Sequence, residues 1–148
     1  MNRRVCVVPG AAVLALALAA SAGETVTFKL VFVNAQSTGR KKVGEGLKFL
    51  EKKLSMVPGV DTFTLIGKTE VRGAADGKPV RFSTEFGYLG TVSAAKDEKG
   101  RYVLKVKLRC PDGKELGVTF KTKPSAANLL VKPLSAGKTL VVATIVTE

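Results

Sequence analysis

The sequence predicts an α+β protein that is mostly β: an antiparallel β-sandwich or curled sheet of about eight strands, with one amphipathic helix after the first strand and a signal peptide ahead of it. Three observations carry this expectation. Apolar and polar residues alternate at period two over most of the chain. Turn signals built from glycine, proline and aspartate recur about every ten residues. One stretch alone switches to helical spacing.

Residues 1–22 read as a secretory signal peptide. Arg3 and Arg4 give a positive start, Val5 to Ala20 is apolar, and Ala20-Ser21-Ala22 is a small-x-small cleavage site. The apolar run is about 16 residues and is broken by Pro9-Gly10, whereas a membrane-spanning helix needs roughly 20. A cleaved signal therefore fits better than an uncleaved anchor. The Val-Cys after the two arginines lacks the large apolar residue of a twin-arginine signal, which favours the general export route. Cys6 stands near the start of the apolar run, not after it, and so does not suit lipid attachment. The expected organisation is a signal at 1–22 and a single β-rich domain at 23–148, placed in the periplasm or secreted.

The elements follow in order. Val26, Phe28, Leu30 and Phe32 share one strand face; Val31 and Val33 make its second half apolar on both sides, as in a strand deep in a sheet. Ser37-Thr38-Gly39 offers a helix cap. Val43, Leu47, Leu50, Leu54 and Val57 then form one apolar stripe at spacings of three and four, with lysines around the rest, and Pro58-Gly59 closes the helix. Gly44 and Gly46 each weaken its first turn by up to about 1 kcal/mol.

Strands follow. Phe63 and Leu65 lead the next one, and Asp76-Gly77 turns the chain. Val80, Phe82, Thr84 and Phe86 alternate, with a bend or bulge at Gly87 before Tyr88, Gly90, Val92 and Ala94. Past the Asp97–Gly100 turn, Tyr102, Leu104, Val106 and Leu108 point inward. Pro111-Asp112-Gly113 is a strong hairpin turn leading to Leu116, Val118 and Phe120. Leu129 to Val131 is a short strand. After Ala136-Gly137 comes Leu140 to Val146, apolar on both faces and therefore central.

The chemistry-bearing residues are few. There is no histidine and no tryptophan, so the commonest general base and any histidine metal site are missing; no serine elbow or phosphate loop is present, and no cofactor is expected. Carboxylates such as Asp61, Glu70, Glu85, Asp97 and Glu98 are scattered. The sequence thus points away from an enzyme. Losing Arg3 and Arg4 leaves 22 of 24 basic residues against 12 acidic ones, a net of +10. Such a surplus attracts acidic partners over distance. Arg101, Lys105, Lys107 and Arg109 line one strand face, and Lys121 and Lys123 extend the row on the next strand, a candidate anion-binding patch that would also deter edge-to-edge pairing. No aromatic residues interleave with it, which argues against nucleic acid as a partner. Of the two cysteines, Cys110 alone would remain after cleavage, and it continues the inward parity of Leu108.

A Phe-x-Leu-Val opening strand (Phe28, Leu30, Val31), leucines at Leu47, Leu50 and Leu54, a Phe-x-Leu strand (Phe63, Leu65), a Pro-Asp-Gly-x-x-Leu turn (Pro111, Asp112, Gly113, Leu116) and a closing apolar strand (Leu140 to Val146) stand in this order over residues 24–147. That order resembles a loosely defined group of small exported Gram-negative proteins. The resemblance implies export and the β-rich fold, and no activity. The opening strand, helix and strand with late hairpins also resemble modules of outer-membrane secretin assemblies, which implies an accessory role at most. The resulting expectation is an exported non-enzymatic envelope protein acting as a protein-interaction or assembly module. The alternative is a binder of anionic envelope polymer or lipid through the basic strand face, with no stable membrane span after signal cleavage.

Overall fold

β1 (Thr25–Gln36) and β9 (Lys138–Thr147) run antiparallel through the middle of a five-stranded sheet. The computed structural model describes residues 24–134 and 137–148; the expected signal peptide at 1–22 and Ala136 of the last turn lie outside the described residues. Around the central pair the strand order is β2-β3-β1-β9-β8, with β2 (Lys42–Val43), β3 (Thr62–Ala74) and β8 (Ala127–Pro133). All neighbours are antiparallel except β2 and β3. The second sheet is a four-stranded meander in chain order: β4 (Val80–Ser83), β5 (Leu89–Lys96), β6 (Tyr102–Arg109) and β7 (Glu115–Thr122). The fold is mostly β, as the alternation predicts.

Period two decides which side chains meet. Val26, Phe28, Leu30 and Phe32 of β1, with Leu140, Val142 and Val146 of β9, pack against Phe82, Val92, Ala94, Tyr102, Leu104, Val106 and Leu108 of the second sheet. The odd residues of the central pair feed a second core on the other side of the first sheet. There Val31, Val33, Ala35, Val141 and Ala143 lie under Leu47, Leu50, Leu54 and Val57. This explains the doubly apolar stretch of β1: its two faces belong to two cores.

The helix is present and shorter than the stripe suggested. A 3-10 turn at Lys48–Leu50 runs into α1 (Glu51–Leu54). The expected first turn does not form, for identifiable reasons. Val43 belongs to β2, and the Gly44 N–H donates to the Phe63 carbonyl at 2.8 Å. Gly46 takes φ +83°, outside any helix. Ser37-Thr38-Gly39 does not cap the helix either. The Thr38 and Gly39 N–H groups instead donate to the Asp61 carboxylate at 2.8 and 2.9 Å. Pro58-Gly59 does not close the helix as expected: α1 stops at Leu54, the Met56 and Val57 N–H groups donate to the Lys53 and Leu54 carbonyls in tighter turns, and Gly59 then takes φ +78°.

The sheets join at named contacts. A bulge between Phe32 and Val33 leaves Ile66 of β3 without a partner. Beside it, the Phe86 ring lies over Gly67, where a Cβ would stand 2.2 Å from the ring. Phe86, Phe32 and Tyr88 form an aromatic cluster there. At the far end Lys96 bridges Glu24 and Glu148 at 3.3 Å each, and the Tyr102 hydroxyl donates to Glu148 at 3.0 Å.

Among the described residues one buried polar atom is left over. Thr144 sits on the inward parity of β9 between Leu30 and Asn128, and its Oγ1 is buried without a hydrogen-bond partner. Replacing an orphaned hydroxyl by an isosteric methyl removes a desolvation cost. Thr144→Val is expected to stabilise the protein by about 1 kcal/mol, read as a higher urea midpoint at unchanged slope; a lower midpoint would show that the hydroxyl is satisfied. Cys110 is buried as its parity predicts, and burial pushes its thiol pKa up. The native protein is expected to resist a thiol reagent until denaturant is added. Rapid labelling without denaturant would contradict that burial.

Candidate anion-binding face

The outer face of the second sheet is assembled by register. β6 pairs with β5 on one side and β7 on the other, and β4 extends the sheet beyond β5. Arg81, Thr91, Lys107 and Gly117 are consecutive partners in one line across the four strands. The next line is Ser83, Leu89, Arg109 and Glu115. On the other side of Lys107, Lys105 lies between Ser93 and Thr119, and Val103 lies between Ala95 and Lys121. Strands stand about 4.8 Å apart and alternate residues about 6.7 Å, so Arg81 and Lys107 originate about 10 Å apart.

Lys105, Lys107, Arg109 and Lys121 therefore share one exposed face, as the alternation predicts. Arg101 and Lys123 are exposed but flank it: Arg101 precedes β6, and Lys123 follows β7. Arg81 joins the face from β4, a neighbour that alternation within one strand does not identify, because β4 lies two strands from β6 in the meander. The signal was nonetheless present in the outward parity of Arg81 beside Val80 and Phe82.

The cations are not neutralised by contact. Among the described residues the only ion pairs are those of Lys96 with Glu24 and Glu148. Glu115 opposite Arg109 is the one carboxylate within the two lines. At the other end, Asp97 accepts the Arg101 and Lys99 N–H groups at 2.9 Å each, which together with the charges of Arg101 and Lys121 holds its pKa below the ordinary value. Leu89, 47% exposed, is the large apolar side chain of the face. Beside it an open depression of about 540 Å³ is lined by Leu89, Thr91, Lys107, Arg109, Glu115 and Gly117. A second depression continues it over Arg81 and Ser83.

Two of the scattered acids, Asp61 and Asp97, hold local turns. Asp61 accepts hydrogen bonds from the Thr38 and Gly39 N–H groups and from the Thr38 and Thr62 hydroxyls, and the Thr38 N–H above all lowers its pKa. Lowered values at Asp61 and Asp97 are the reverse of what a general acid needs near neutral pH. Among the described residues no group of three His, Cys, Asp or Glu side chains is placed to hold a metal ion. No helix among them is long and apolar enough to cross a membrane.

No family model matches the chain, and neither a curated protein nor a solved structure matches it.

The Asp61 bonds carry a pH dependence of defined sign. Its native pKa lies below 3.8, so its contribution is complete above that value and is lost as pH falls through the native one. Asp61→Asn is expected to be less stable than the parent at neutral pH and to lack this part of the acid dependence, measured by urea unfolding at neutral pH and at about pH 3. Equal pH slopes in the two proteins would show that the carboxylate does not hold the Thr38–Gly39 turn.

Proposed function

We propose that this chain is an exported, non-enzymatic binding module of the cell envelope that engages an anionic polymer or lipid through the outer face of β4–β7. One observation supports this reading above the others. Arg81, Lys105, Lys107, Arg109 and Lys121 share one sheet face without ion pairing, and Lys107 and Arg109 line an open depression that continues over Arg81. Unpaired cations on a sheet add their potentials, and an anionic surface or chain can meet several of them at once. Export is expected from residues 1–22, and it would bring the face to the acidic polymers and lipids of an envelope.

A second reading is an assembly module that docks an acidic protein. Leu89, half exposed next to Arg109, favours it, because protein interfaces pair an apolar contact with arginine. Both readings use the same face and predict the same sensitive residues.

Retention of the purified protein on an immobilised acidic polysaccharide, and sedimentation with anionic vesicles, test the proposal across a salt series. Binding at low ionic strength is expected to weaken steeply as salt rises. A basic residue at an anionic surface contributes about 1 kcal/mol, so Lys105→Gln and Lys107→Gln should each weaken binding about fivefold. Lys52→Gln on the helix should change it little. An absence of retention at low salt, or equal effects of all three variants, would remove the proposal.

A further inference from the structure

Gly117 stands in the middle of β7, on the exposed face and directly opposite Lys107. Glycine inside a strand costs stability, so a reason is needed for each one. The other strand glycines have steric reasons: a Cβ at Gly67 would meet the Phe86 ring at 2.2 Å, at Gly73 the Val80 side chain at 2.7 Å, and at Gly90 the Lys107 carbonyl oxygen at 2.0 Å. Gly117 has none. Its φ is not positive, and the nearest atom to a Cβ there would be the Val106 carbonyl oxygen at 3.9 Å, an ordinary contact. Neither backbone conformation nor packing demands glycine at this position.

What the missing side chain does is open the face. Gly117 lines the larger depression, beside Lys107 and Arg109 and across from Thr91 and Leu89. We propose that Gly117 is the contact point for one sugar unit of a linear acidic polysaccharide, whose carboxylate or sulfate meets Lys107 and Arg109 while the ring lies against the bare backbone. This rests on the binding role proposed for the face and narrows its ligand. Three features select this occupant. Lys105, Lys107 and Arg109 follow one another at about 6.7 Å along one strand, which matches a chain of repeated charges better than one compact anion. The lines of the face contain no aromatic ring, so bases of a single-stranded nucleic acid would have nothing to stack on. Leu89 is its only exposed large apolar side chain, too little to anchor the sheet in a lipid interface. Thr91 and Thr119 supply hydroxyls on either side for the sugar's own.

The test uses the full chain and oligogalacturonates of increasing length, with poly-dT and phosphatidylglycerol vesicles as competing probes. Affinity for the oligogalacturonates should rise with length until the chain spans Lys105 to Arg109. Gly117→Thr should weaken that binding on the order of tenfold with the melting temperature unchanged or raised, because threonine suits a strand and fills the depression. Gly117→Ser is the second variant, with a smaller loss expected. If Lys107→Gln weakens binding while both Gly117 variants bind as the parent does, the sugar contact is overturned and the basic face stands. Stronger binding of poly-dT or vesicles than of any oligogalacturonate overturns the polysaccharide assignment in the same way. If the parent binds none of the three probes, the binding role of the face falls as well.

Discussion

The β1–β9 pairing is the constraint on which the rest of the structure depends. Leu30 and Phe32 face one core while Val31 and Val33 face the other, and Val141 to Ala143 mirror them across the pair. Each such side chain gains about 1.5–3 kcal/mol on full burial, but only if a layer covers both sides of the sheet. The second sheet covers one side. The Leu47–Val57 segment covers the other, over the part of β1 and β9 where both parities are apolar. Toward Thr25 the outer parity becomes Thr27 and Lys29, and the helical cover stops.

This division explains why the strands were legible in the sequence and the helix only in outline. Strand faces follow from parity alone, so the inward sets of β1 and β6 and the burial of Cys110 could be assigned residue by residue. The helical stripe was also real: Leu47, Leu50, Leu54 and Val57 are all buried. Its extent was not legible, because burial at spacings of three and four does not require a continuous helix. Gly44 and Gly46 carried the missing information. Their weak helix propensity is the local trace of a segment that pairs with Phe63 before it coils. The role of Thr38 was hidden for a different reason, since its partner Asp61 lies 23 residues away.

For the candidate face, parity again supplied Lys105, Lys107, Arg109 and Lys121. The contribution of Arg81 required the order β4-β5-β6-β7, which alternation within a strand does not contain. Gly117 was invisible for a subtler reason. Parity says which way a strand glycine faces but not whether it is required, and only the atoms around Gly67, Gly90 and Gly117 show that two are sterically enforced and one is free.

The placement of that face on strands bears on how it can bind. Inward from it, Val92, Leu104, Val106 and Leu108 are packed against β1 and β9, so the backbone carrying Lys105, Lys107 and Arg109 is fixed from behind. Binding on a loop-built site must order the loop, whereas a sheet face has already met that cost in folding. Only the lysine and arginine side chains lose freedom when an anion arrives. The price of this rigidity is shape: a meander offers an open array, and selectivity must come from charge spacing and from the few positions where a side chain is absent. On such a surface a single exposed glycine beside a lysine has more influence on which anion fits than another lysine would.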